Sequence, residues 1–182
     1  MNDLSEFKAF AERLAELARP IARHYFRSDA ATLGTIDKPD ATPVTLADMA
    51  IEQRLRDEIA AVYPAHGILG EEHDSVNLGA EWVWVIDPID GTKAFTCGKP
   101  QFGSLIALTH CGVPVVGVID QPITQERWAG VKGTGSWFNG QPVRANAQVK
   151  PLAETIVLVT TPDQFTGAGA AAFERLKRAC KG

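Results

Sequence analysis

Two apolar runs, each ending abruptly in acidic residues, constrain this chain more than any other feature. Gly67-Ile68-Leu69 leads into Gly70-Glu71-Glu72, and Trp82-Val83-Trp84-Val85-Ile86 leads into Asp87-Pro88-Ile89-Asp90-Gly91-Thr92. Short apolar runs bounded by turn formers read as buried strands. If the two are neighbours, Glu71, Asp87 and Asp90 converge at one sheet end. Two unit charges about 4 Å apart repel by roughly 4 kcal/mol at an effective dielectric near 20. Several such pairs rival the roughly 5–15 kcal/mol that holds a domain folded. Protonation, basic partners or metal must relieve them. The nearby sequence offers Lys38 and Lys93 as bases, so a hard divalent cation with oxygen ligands is the simpler answer.

The local chemistry around these acids suits that reading. Pro88 fixes its own φ, and a sharp turn there can aim Asp87 and Asp90 at one ion. Gly91 lets backbone approach a ligand or take positive φ. A helix beginning near Thr92 would offer free N–H groups to phosphate, with the Thr92 hydroxyl placed to orient a water. Plainer roles stand beside these. Asp90 also suits a helix N-cap and Asp87 a turn, Glu72 a solvated or supporting acid, and Lys38 a loop surface charge. Asp48 sits three residues after Thr45 in the pattern of a capping box, and can cap, orient a water, or do both.

The rest of the chain sets the frame. Leu4, Phe7, Ala11, Leu14, Ala18 and Ile21 recur at helical steps, with Pro20 a candidate kink. Ser28 to Pro43 is aperiodic and reads as a long loop. A second helix is expected from Thr45 to about Val62, with Met49, Leu55, Ile59 and Val62 inward. Further strands are expected at Ser104–Thr109, Val113–Ile119, Arg127–Val131 and Ser136–Phe138, with tight turns at Cys111-Gly112 and Asn139-Gly140. Ile156 to Thr160 reads as one more strand and Ala170 to Cys180 as a final helix. Helices on a largely antiparallel sheet define the α+β class. The expected division is residues 1–150, carrying the metal site, and 151–182, the start of a C-terminal α/β half left incomplete because the chain stops one helix after a strand of central type.

The 182 residues, with formal net charge −4, favour no polyanionic partner such as nucleic acid. The acidic N-terminus lacks a secretion signal, and no apolar run approaches the roughly 20 residues of a membrane span. Cytoplasm is the expected setting. Cys97, Cys111 and Cys180 show no C-x-x-C spacing and read as packing residues. His24, His66, His73 and His110 show no ligand or triad spacing. No Gly-rich dinucleotide fingerprint supports hydride transfer.

Taken together, Asp87-Pro88-Ile89-Asp90-Gly91-Thr92, Gly70-Glu71-Glu72 and Pro43-Val44-Thr45-Leu46-Ala47-Asp48 strongly resemble the inositol monophosphatase family. The resemblance runs from the first helix to about residue 180. It implies a layered α-β-α-β-α sandwich with the C-terminal half mostly missing, magnesium-dependent hydrolysis of a small phosphorylated metabolite, two or three Mg2+ per complete site, and a homodimeric full-length parent. By motif, Glu71, Asp87 and the Ile89 carbonyl would hold one magnesium and Asp87 with Asp90 a second. Glu71 and Thr92 would prepare the water, Asp48 would pair with the Thr92 hydroxyl, and the Gly91 and Thr92 amides would cradle phosphate. Glu72 and Lys93 would support the site, and Lys38 would sit near a third ion.

Within the family, Asp37–Thr45, Gly91–Phe95, Gly98–Gly103 and Val118–Pro122 look most like the histidinol-phosphate phosphatase branch of histidine biosynthesis. Lys93 after Gly91-Thr92 also suits enzymes acting on 3′-phosphoadenosine 5′-phosphate, and inositol monophosphate is the other alternative. The family's second half carries a Trp-Asp motif, whereas Trp82, Trp84, Trp128 and Trp137 are not followed by Asp. A catalytically inactive, metal-binding remnant is therefore the competing expectation.

Overall fold

Strand pairing and helix burial follow from where the apolar residues repeat. In the computed structural model, residues 4–37, 43–148 and 150–181 are described. The chain divides into two compact units, Met1–Arg144 and Ala145–Gly182. The first unit runs α1 (Ser5–Tyr25), α2 (Ala30–Leu33), β1 (Ile36–Asp37), β2 (Pro43–Val44), α3 (Leu46–Val62), β3 (Gly67–Leu69), β4 (Trp82–Asp90) and α4 (Thr92–Thr96). It continues with β5 (Gly103–His110), β6 (Val113–Gln121), β7 (Glu126–Val131), β8 (Gly135–Phe138) and β9 (Gln141–Val143). Strands β3 to β9 form one sheet in sequence order. Only β3 and β4 pair in parallel, with Ile68 opposite Trp84; each later neighbour is antiparallel.

Helices α1 and α3 pack on each other and on one sheet face. The buried stripe of α1 is Phe10, Ala11, Leu14, Ala15, Ala18 and Ala22, whose small residues let the backbone lie close to its neighbours. Helix α1 continues through Pro20, although proline cannot donate to the ladder there. On the sheet, alternate residues Ile106 and Leu108, then Val116 and Val118, point into this core. Burying such a side chain contributes about 1.5–3 kcal/mol. Intervening residues Leu105, Ala107, Ile119 and Trp128 line an apolar groove of about 570 Å³ on the sheet.

Several expectations need correction. Met49 and Val62 are 39% and 43% exposed rather than inward. The buried stripe of α3 is Ala47, Ile51, Leu55 and Ile59; Met49 lies across the helix from Ile51, and Val62 is its last residue. The Ser28–Pro43 loop contains α2, β1 and β2, with β1 and β2 paired through Ile36 and Val44. Cys97 and Cys111 are exposed and Cys180 is half-buried, because Cys97 follows the short α4 and Cys111 occupies a hairpin turn.

The second unit contains two 3-10 turns, Leu152–Glu154 and Pro162–Gln164, and α5 (Gly167–Ala179). Ile156 to Thr160 forms no strand, and Leu158 is 89% exposed. Apolar, β-branched composition favours a strand only where a neighbouring backbone supplies the ladder. None of the described strands pairs with this segment.

A buried ion network fixes α1 against the sheet. Asp120 on β6 is fully buried and accepts from Arg19 Nη2 at 2.5 Å and Nε at 3.1 Å, and from Arg127 Nε at 2.7 Å. Arg23 also donates to the Pro122 carbonyl at 2.7 Å. Removing Asp120 leaves two largely buried guanidinium groups without their central partner. Asp120→Ala is expected to lower unfolding free energy by about 3–5 kcal/mol in urea titrations. A loss below about 1 kcal/mol would show that solvent compensates the arginines.

Candidate metal centre

The parallel pairing of β3 with β4 places their C-terminal ends at the same end of the sheet. The turn after β3 carries Glu71 and Glu72, and the end of β4 carries Asp87 and Asp90. Strand β4 runs on through the motif instead of stopping at Ile86, with an irregular register between Asp87 and Asp90. Ser104 on β5 holds that irregularity by donating its hydroxyl to the Pro88 carbonyl at 2.7 Å. Gly91 follows with φ 94°, the left-handed region that glycine tolerates. A Cβ there would also meet the Gln101 carbonyl oxygen at 3.1 Å.

Helix α3 supplies two further acids to the same place. Asp48 is 2% exposed, and its Oδ2 accepts from the Thr45 amide at 2.8 Å and hydroxyl at 2.6 Å, completing the capping box. One turn on, Glu52 is fully buried. Its Oε2 accepts from the amides of Glu71 at 3.0 Å and Glu72 at 2.8 Å. Its Oε1 accepts from the His73 amide at 3.2 Å and Arg56 Nε at 2.8 Å. Three successive backbone donors converge on one carboxylate, so Glu52 sets the conformation of the acidic turn. Gly70 is required beside it, because a Cβ at that position would overlap the Glu52 carboxylate.

Sequence reasoning missed Glu52. Its available signals were the i, i+4 pair with Arg56 and a charge on the buried stripe of α3, neither of which names the distant turn as partner. Ser104 was missed for the same reason.

The electrostatics follow from the crowding. Burial, then the charges of Glu71 and Asp90, the contact with Glu71 and the charge of Asp48 push the Asp87 carboxyl up to about 7. Its Oδ1 is buried and has no hydrogen-bond partner among the described residues. Burial also pushes Asp48 up to about 6, with Glu72 adding repulsion and the Thr45 hydrogen bonds opposing it. An orphaned carboxylate oxygen in an all-oxygen acid cluster fits a hard divalent cation.

The other expected residues lie as follows. Thr92 opens α4 and donates its hydroxyl to the Ile89 carbonyl at 3.0 Å. Asp48 and Thr92 share no hydrogen bond, each being engaged elsewhere. Lys93 is exposed on α4. Lys38 lies outside the described residues.

The chain belongs to the inositol monophosphatase family, whose sequence profile matches residues 3–179. It is 38% identical over 178 residues to the bifunctional phosphatase IMPL2 of Arabidopsis thaliana, covering 97% of this chain and 50% of that protein. It is 42% identical over 154 residues to a histidinol-phosphatase of Mycobacterium tuberculosis, covering 84% and 57%. An inositol monophosphatase structure from Zymomonas mobilis superposes with TM-score 0.81 at 35% identity, covering all of this chain and 68% of that one. The chain thus spans about half the length of the curated relatives it matches.

Two measurements test the site. Glu52→Gln cannot accept all four donors, and is expected to destabilise the fold by about 2 kcal/mol. It should speed amide exchange at Glu71, Glu72 and His73 while α1 stays protected; unchanged exchange there would remove Glu52 from its organising role. The pH dependence has a definite sign. Asp87 and Asp48 bind protons more tightly folded than unfolded, so stability falls as pH rises from about 4 to about 7. Asp87→Asn should lessen that fall by on the order of 2 kcal/mol after solvent screening. Saturating Mg2+ should lessen it likewise; identical pH profiles for wild type and variant would contradict the crowding.

Proposed function

We propose that this chain carries the metal- and phosphate-handling part of a magnesium-dependent phosphatase for small phosphate monoesters, with histidinol phosphate, hydrolysed to histidinol in histidine biosynthesis, as the preferred substrate. The observation that carries the proposal is the raised Asp87 carboxyl, crowded by Glu71 and Asp90, with its buried Oδ1 lacking a hydrogen-bond partner among the described residues. The substrate preference rests on relatives named histidinol-phosphatase at 37% to 42% identity. Inositol monophosphate and 3′-phosphoadenosine 5′-phosphate are the alternatives. The same reading takes two or three Mg2+ per complete site, a homodimer and a cytoplasmic setting. Among the described residues no helix is long and apolar enough to cross a membrane.

Glu71, Asp87, the Ile89 carbonyl and Asp90 would hold the metal. When bound, magnesium supplies positive charge that acidifies the attacking water and offsets charge on the leaving oxygen. The Thr92 hydroxyl would orient that water, and the Glu71 carboxylate would accept its proton. The Thr92 hydroxyl donates to the Ile89 carbonyl, whose second lone pair would remain available to a cation. The Gly91 and Thr92 amides bind the phosphate, and Asp48, Glu72 and Lys93 support the charge balance. Glu52 keeps Glu71 and Glu72 in place through their own backbone.

Phosphate release from histidinol phosphate, inositol 1-phosphate and 3′-phosphoadenosine 5′-phosphate tests the proposal. Release should require Mg2+, show its highest kcat/KM with histidinol phosphate, and fall about 100-fold or more in Asp90→Asn. Release that survives chelation and Asp90→Asn would overturn the mechanism. Mg2+ binding without turnover on any substrate would favour the inactive metal-binding alternative.

A further inference from the structure

A second cluster of metal-ligating side chains lies at the opposite end of β4. Trp82 to Asp90 spans about 25 Å at roughly 3.3 Å per residue, so this cluster is separate from the acidic site. Glu81 precedes β4, His110 ends β5, and Cys111 begins the β5–β6 turn. One ligand atom from each lies within 4.8 Å of the other two. His110 Nε2 already lies 2.6 Å from Glu81 Oε1. We propose that Glu81, His110 and Cys111 form a binding site for a soft divalent cation of the zinc type.

Three observations support a shaped site. The His110 ring stacks on Trp82 with centroids 4.2 Å apart, which fixes the plane of its imidazole. The Cys111 amide donates to the Glu81 carbonyl at 2.7 Å, tying the turn to the neighbouring strand. Cys111 and Gly112 both take positive φ, 48° and 77°, giving a tight two-residue turn that presents the thiol beside the imidazole. Zinc bonds of about 2.0–2.3 Å in tetrahedral geometry place ligand atoms about 3.3–3.8 Å apart. The Glu81–His110 pair, at 2.6 Å, would open by roughly 1 Å, and the Cys111 thiol, within 4.8 Å, would close by up to about 1 Å, both through rotamer adjustment. Glu81 and Cys111 are exposed, so water can fill the fourth position.

The donor chemistry separates this site from the acidic one. A thiolate and an imidazole select zinc or cobalt over magnesium, whereas an all-oxygen carboxylate set favours the hard ion. On binding, the Cys111 thiol releases its proton to solvent and His110 binds as neutral imidazole; nothing is oxidised.

Cobalt(II) titration of the full chain at saturating Mg2+ tests the site. In a Cys97→Ser, Cys180→Ser background only Cys111 can give a thiolate-to-cobalt absorption band. One equivalent should bind with that band. Cys111→Ser should abolish it, and His110→Gln or Glu81→Gln should weaken binding about tenfold or more. Absence of the band, or a band of unchanged affinity in His110→Gln, would overturn the proposal. In the unmodified chain, zinc should protect Cys111 from alkylation, read by mass spectrometry; equal labelling with and without zinc would also overturn it.

Discussion

One buried carboxylate organises the acidic end of the sheet. Glu52 accepts the amides of Glu71, Glu72 and His73 while Arg56 balances its charge. A turn dense in negative side chains would otherwise swing outward, because each acid gains by moving into water. The turn is thus held through its backbone amides rather than through the Glu71 and Glu72 carboxylates. Gly70 belongs to the same device, since its missing Cβ is the space the Glu52 carboxylate fills.

Around that anchor, the sheet makes proximity unavoidable. Parallel β3 and β4 end together, so their terminal acids share one edge, and α3 adds Asp48 from the helical layer. The raised Asp87 carboxyl is the electrostatic consequence. The fold stores repulsion there and offsets it elsewhere, with apolar burial under α1 and α3 and with the Arg19–Asp120–Arg127 network. A cation in the acid cluster would convert that repulsion into binding energy.

Much of this was legible in the residues themselves. The capping pattern at Thr45 and the Asn139-Gly140 hairpin rest on local rules, and each occurs where those rules place it. Local rules failed at Ile156–Thr160, where strand-forming residues find no ladder, and at Met49, where apolar character alone did not decide the helix face. The structural partners of Glu52, Ser104 and Asp120 could not be read from the sequence because each takes one at least 16 residues away.

The sequence by itself determined which acids are available, that a sheet would carry them, and that the chain belongs with metal-using relatives by motif. It did so because strand periodicity and turn chemistry act over a few neighbouring residues. Tertiary structure alone decided that Glu52 holds the acidic turn, that Asp87 is left with an unsatisfied buried oxygen, and that Glu81, His110 and Cys111 share a corner. Those outcomes depend on strand register and helix packing, which bring together groups that no spacing along the chain relates.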